Sequence, residues 1–218
     1  MKVNFVISLA LVSILTVPDV AVAQTVWTAG TGDWFEPSNW TLGVPDSASG
    51  TAFDAIIANG GTAQILAPGG DVRRLRVGLV GGPGNLLVDA GTLTVTDDLH
   101  LNEGSSGPAS VTVQNGSTVT ALDTVVGFSS AFSTPFLIAG GGTVYNATNS
   151  FIVGQSGAGG GYLTVENGAV LASGTSSMGT NGFGNATVTG TGSRWSKSGP
   201  SPAWSDSWSP GRSGSWCR

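Results

Sequence analysis

Few residues in this chain could do chemistry, and their spacing narrows the choice further. There is one His, His100, in Leu99-His100-Leu101, and one Cys, Cys217, next to the C-terminal residue. A single imidazole and a single thiol cannot build a His/Cys metal cage or a disulfide framework, and they leave no second imidazole to complete a site. Strand alternation turns His100 away from its apolar neighbours and makes it a solvated outward residue. Asp97-Asp98 is the one adjacent carboxylate pair. Stacked carboxylates can hold calcium or act as acid and base in polysaccharide cleavage. Adjacent strand residues face opposite sides, however, and this pair falls where a corner is expected, so an Asx-type corner is the better account. Gly140-Gly141-Gly142 lacks the strand-loop-helix context and the Lys of a phosphate loop. No Gly-Gly-x-Gly-x-Asp nonapeptide of a calcium-binding roll occurs. These residues assign no catalytic, cofactor-binding or metal-ligating position.

Tryptophan offers a different chemistry, stacking on sugar rings. The seven Trp fall at the two ends: Trp27, Trp34 and Trp40, then Trp195, Trp204, Trp208 and Trp216. The first three lie in one irregular, turn-rich segment, which favours a cap over an exposed aromatic platform.

The elements that would position such residues are strands. Of 218 residues, 35 are Gly and 10 Pro, only 10% are charged, and 40% are hydrophobic. That is too much apolar matter for a disordered chain and too little charge for a conventional helical surface. The net charge is −5, and the eight basic residues are scattered: Lys2, then Arg73, Arg74 and Arg76, then four after residue 193. This excludes the footprint of a nucleic-acid binder.

A period emerges from the apolar positions. Val77, Leu101, Val126, Val153 and Met178 recur at spacings of 24, 25, 27 and 25. Val88, Val113, Ile138, Val165 and Val188 form a second row at 25, 25, 27 and 23. Within each unit apolar residues alternate with Thr, Ser or Asn, as in Thr92-Leu-Thr-Val-Thr96, the signature of half-buried strands. Asn115-Gly116 and Asn167-Gly168 supply tight corners. A unit this small cannot bury its own apolar face, so it must stack on its neighbours, with equivalent residues roughly 4.8 Å apart. A Greek-key β-sandwich also alternates, but the double period disfavours it.

The stretches Ile152-Val-Gly-Gln-Ser-Gly157, Gly161-Tyr-Leu-Thr-Val-Glu-Asn-Gly-Ala-Val170 and Gly184-Asn-Ala-Thr-Val-Thr-Gly-Thr-Gly-Ser-Arg-Trp195 resemble the repeats of bacterial proteins associated with autotransporter passengers and PEP-CTERM export. The opening segment Trp27-Thr-Ala-Gly-Thr-Gly-Asp-Trp34, with Ser38-Asn-Trp40 and Gly43-Val-Pro45, is similar to the start of such proteins. The resemblance covers about residues 25 to 199. It implies an all-β, right-handed parallel β-helix on the cell surface, without implying an activity. Neither a translocator barrel nor a PEP-CTERM tail is visible, so the export route stays open.

Four segments are therefore expected: 1–23 a signal peptide, 24–70 an N-terminal cap and first strands, 71–199 about five solenoid rungs, and 200–218 an irregular tail. Lys2, the apolar run Phe5–Val17 and Ala21-Val22-Ala23 fit a cleaved secretory leader. The run is too short for a membrane anchor, so the mature form should be secreted or at the cell surface and not integral to a membrane. Past Gly199 the repeat breaks in mid-unit, as a frameshifted or truncated end of a longer passenger would, or a Ser/Pro/Gly linker. Four N-x-[ST] sequons (Asn39, Asn115, Asn146, Asn185) are explained by turn use and composition. The functional expectation is a non-enzymatic exported structural or adhesive solenoid without cofactor, facing a glycan or a host or cell-surface protein. A polysaccharide-degrading β-helix enzyme and a carbohydrate-binding module using the N-terminal Trp residues are the alternatives.

Overall fold

A computed structural model describes residues 23–48, 54–129 and 131–199, together with the backbone of 214–217. The leader expected before residue 23 and most of the tail lie outside the described residues. The strands, in chain order, are β1 (Gln24–Val26), β2 (Thr31–Asp33), β3 (Asp54–Ile57), β4 (Thr62–Ile65), β5 (Gly70–Val72), β6 (Arg74–Leu79), β7 (Asn85–Asp89), β8 (Thr92–Glu103) and β9 (Ser110–Gln114). They continue as β10 (Thr118–Val126), β11 (Thr134–Ala139), β12 (Val144–Val153), β13 (Ser156–Glu166), β14 (Val170–Met178), β15 (Asn181–Thr189), β16 (Arg194–Lys197) and β17 (Gly214–Cys217). Two sheets take up nearly every strand in turn. One runs β1-β3-β6-β8-β10-β12-β14-β16, with β5 beside β8, and the other β2-β4-β7-β9-β11-β13-β15-β17. All the pairings are parallel except β17, which lies antiparallel on β15. The chain is a parallel β-solenoid, and its first coils already lie within residues 24–65.

Both apolar rows become interior columns. Val126 pairs with Leu101 and Val153, Leu101 with Val77, and Val153 with Met178. Ile57 extends the column one coil further down. Ile138 likewise joins Val113 to Val165, flanked by Val88 and Val188, and Ile65 begins that column. All these residues are buried. Around the middle coils the filling is aromatic. Phe136 meets Tyr145 and Phe151 edge-on at 5.1 and 5.6 Å, and Phe151 meets Trp195 at 5.8 Å. The Tyr145 hydroxyl is satisfied by Thr124 Oγ1 at 2.7 Å, while burial pushes its pKa up.

Corners are set by backbone requirements that recur once per coil. The residue after the first interior column is Gly78, Asn102, Gly127, Gly154 or Gly179, and each has a φ between 62° and 76°. This left-handed region explains the repeated Val-Gly, with Asn as the tolerated substitute. At the opposite corner, hydroxyls clamp one coil to the next: the Gly91, Gly116 and Gly168 amides donate to Ser117 Oγ, Thr143 Oγ1 and Ser193 Oγ at 3.3, 3.0 and 2.9 Å. Buried polar side chains are thus spent on holding turns in register.

Candidate functional site

The three N-terminal Trp residues form a cap. Trp27, Trp34 and Trp40 are 1%, 0% and 4% exposed, and Trp40 stands edge-on to Trp27 and Trp34 at 5.0 and 4.8 Å. Trp27 Nε1 donates to the Gly30 carbonyl and Trp40 Nε1 to the Trp34 carbonyl. Rings this deep are not open to stack on a sugar. The same segment closes the outer edge of β1: Thr41 N donates to Val26 O, Thr28 N to Asn39 O, and Thr41 Oγ1 accepts from Val26 N. Asn39 Nδ2 covers β2 by donating to Asp33 O at 2.8 Å. An edge so occupied does not invite another strand.

Stacking gathers charge that looks scattered along the chain. Arg74 of β6 is the register neighbour of Asp54 in β3. Its Nη2 lies 2.9 Å from Asp97 Oδ2, its Nε 3.2 Å from Asp98 Oδ2 and its Nη1 3.8 Å from Asp54 Oδ2. Arg73 donates through Nε and Nη2 to Asp54 Oδ1 at 3.0 and 2.9 Å. Arg76 Nε donates to Glu103 Oε2 at 3.0 Å. Basic and acidic groups therefore do meet on one face of three consecutive coils, contrary to the dispersal read along the sequence. Spacing hints at the pairing, since Arg74 and Asp97 stand 23 residues apart, close to one coil, but it does not tell which outward row each joins. Burial alone would lower the Arg74 pKa, but the Asp97, Asp54 and Asp98 carboxylates outweigh it and raise it. The guanidinium stays charged and committed to its partners.

The corner expected at Asp97-Asp98 is present: Thr96, Asp97 and Asp98 all face outward where β8 shifts register against β10, so both carboxylates reach Arg74 and the opposite-sides rule does not apply to them. A bulge breaks strict alternation. His100 is outward but not freely solvated. Its ring stacks on Phe128 at 4.7 Å, and Nδ1 lies 3.4 Å from Glu103 Oε2. No group of three or more His, Cys, Asp or Glu placed to hold a metal occurs among the described residues. What the cluster does is pair charge across coils.

The sequons divide by role. Asn115 Nδ2 donates to Asp89 Oδ1 at 2.8 Å in a turn, Asn39 serves the cap, and Asn146 and Asn185 lie in β12 and β15. Gly140 and Gly142 have φ of 92° and 82° and form a corner. No helix among the described residues is long and apolar enough to cross a membrane. Compared with known protein families, with curated proteins and with solved structures, the chain shows no match.

Proposed function

We propose that this chain is a non-enzymatic, exported structural or adhesive β-solenoid, a rod that presents a surface outside the cell to a glycan or a protein of another surface. The observation that carries the reading is the fate of the polar groups. Outward positions repeat small hydroxyl and amide residues in register, as in Thr92-Thr118, Thr94-Thr120-Asn146 and Thr164-Thr187. The arginine cluster is paired with its own carboxylates. A ladder of small outward residues makes a long stiff array that is easily extended. Expressed with its leader in a bacterial host, the chain is expected outside the cytoplasm, cut after Ala23, and open to protease on intact cells. Retention inside with residues 1–23 intact would contradict the reading.

One observation favours the enzymatic alternative: Arg73, Arg74 and Arg76 with Asp97, Asp98 and Glu103 lie on adjacent coils, as a site for an acidic polysaccharide requires. Release of new chain ends from such a polymer, lost in a folded Arg74→Ala variant, would establish that alternative instead.

A further inference from the structure

Among the described residues, the two ends of the solenoid carry opposite charge. Residues 24–72, which form the cap and first coils, contain Asp33, Glu36, Asp46, Asp54 and Asp71 and no Lys, Arg or His. Of these, Asp54 is neutralised by Arg73. Asp33 and Glu36 are exposed on the cap, and Glu36 accepts hydrogen bonds from Ser38 N and Oγ at 3.2 and 2.8 Å. Residues 167–199 contain no Asp or Glu, and their two charges, Arg194 and Lys197, both lie in β16. This strand is the last of its sheet, and no described strand pairs with its outer edge. Lys197 is in register with Ser173, Ala147 and Ala121, so a cation stands at the end of a column that is otherwise small and buried.

We propose that these ends bind one another: the C-terminal edge at β16 docks on the acidic cap of a second copy of this chain, so that rods associate head to tail. Charge decides the partner and its orientation. Cap against cap places Asp33 and Glu36 against themselves, and β16 against β16 places Arg194 and Lys197 against themselves, both repulsive. Only the heterologous arrangement is complementary, and a heterologous contact propagates in a line when its rotation does not close. The backbone edge of β1 is already taken by residues 39–41, so the contact is made by side chains and is not a continuous sheet. An interface of that kind is weak and strongly salt-dependent.

The test is analytical ultracentrifugation of the purified full-length chain over a concentration series at two ionic strengths. At about 0.02 M NaCl the mean mass should climb toward multiples of the monomer, and at about 0.5 M association should weaken roughly tenfold or more, since screening shortens to a few ångströms. Arg194→Glu with Lys197→Glu should abolish association while leaving the far-UV circular dichroism unchanged. Mixing that variant with Asp33→Lys/Glu36→Lys chains should restore it, because each unlike pair of ends is complementary again. A monomer at every concentration in low salt would overturn the proposal, leaving Arg194 and Lys197 as guards of an edge. Association that grows with salt or survives charge reversal would overturn it too, assigning the contact to apolar surface. If the Lys-bearing cap fails to fold, the salt series and the β16 variant still decide.

Discussion

Replacing Gly154 by Ala tests the stacking of coils at a single atom. Gly154 has φ 75°, and a Cβ placed on it would sit 2.0 Å from the Phe183 carbonyl oxygen and 2.7 Å from Gly184 N. Both neighbours belong to the next coil, so the methyl group can be admitted only if the two coils part locally. The left-handed conformation costs about 1–2 kcal/mol for a residue with a Cβ, and overpacking against backbone about 1–3 kcal/mol. Ala stabilises by about 0.4–1 kcal/mol through the unfolded chain. The net expectation is a loss of roughly 1–4.5 kcal/mol. Gly116 is the control: its φ is 79°, but an added Cβ meets nothing within 4 Å, so Gly116→Ala keeps the first and last of these contributions and should cost about 1 kcal/mol or less. Urea unfolding of the two variants, followed by circular dichroism, measures the difference. Equal losses within about 0.5 kcal/mol, well under the overpacking cost of about 1–3 kcal/mol, would refute the close approach of the two coils.

Other outcomes follow from the same contacts. Trp34→Ala should cost about 3–5 kcal/mol, read as a lower urea midpoint and loss of the near-ultraviolet signal of the edge-on Trp34–Trp40 pair. Ala90, with φ 52°, occupies the left-handed corner position held in other coils by Asn115, Gly140, Asn167 and Gly190; Ala90→Asn should stabilise by about 0.5–1 kcal/mol, raising the melting temperature. Tyr145 is buried and its pKa is raised, so its contribution is complete below the ordinary tyrosine value of about 10. It is lost as pH climbs from there toward the folded value, because the unfolded chain ionises first. Tyr145→Phe should be slightly less stable at neutral pH, having lost the Thr124 hydrogen bond, yet lose less stability between neutral and strongly alkaline pH; an unchanged alkaline slope would contradict this.

Much of the fold was legible because a stacked array writes its register along the chain. Val77, Leu101, Val126, Val153 and Met178 pair in the order their spacing dictates, since each must occupy the same interior column. The column's first member, Ile57, was harder to see: the stretch Asp54–Ile57 is followed by a short coil whose corner lacks the Val-Gly motif, so the first coils read only as a cap and first strands. The Trp residues were legible as a cap from their clustering in a turn-rich segment. The charge cluster was not, because ion pairing between coils depends on which outward row a residue joins. A register shift such as that between Ala121 and Asp123 moves residues between rows. The shared partner of Asp97 and Asp98, Arg74, was missed for that reason, and the covering of His100 because Phe128 comes from a corner outside the strand pattern.

Oxidative cross-linking of Thr164→Cys with Thr187→Cys, in a Cys217→Ser background, tests the solenoid most directly. The two threonines are register partners in β13 and β15, about 4.8 Å apart and within the roughly 4.4–6.8 Å that a disulfide spans. Stacked coils predict efficient closure of this pair and none for Leu137→Cys with Thr187→Cys, which are two coils and roughly 9.6 Å apart. Failure of the first pair to close, or equal closure of both, would contradict the stacking.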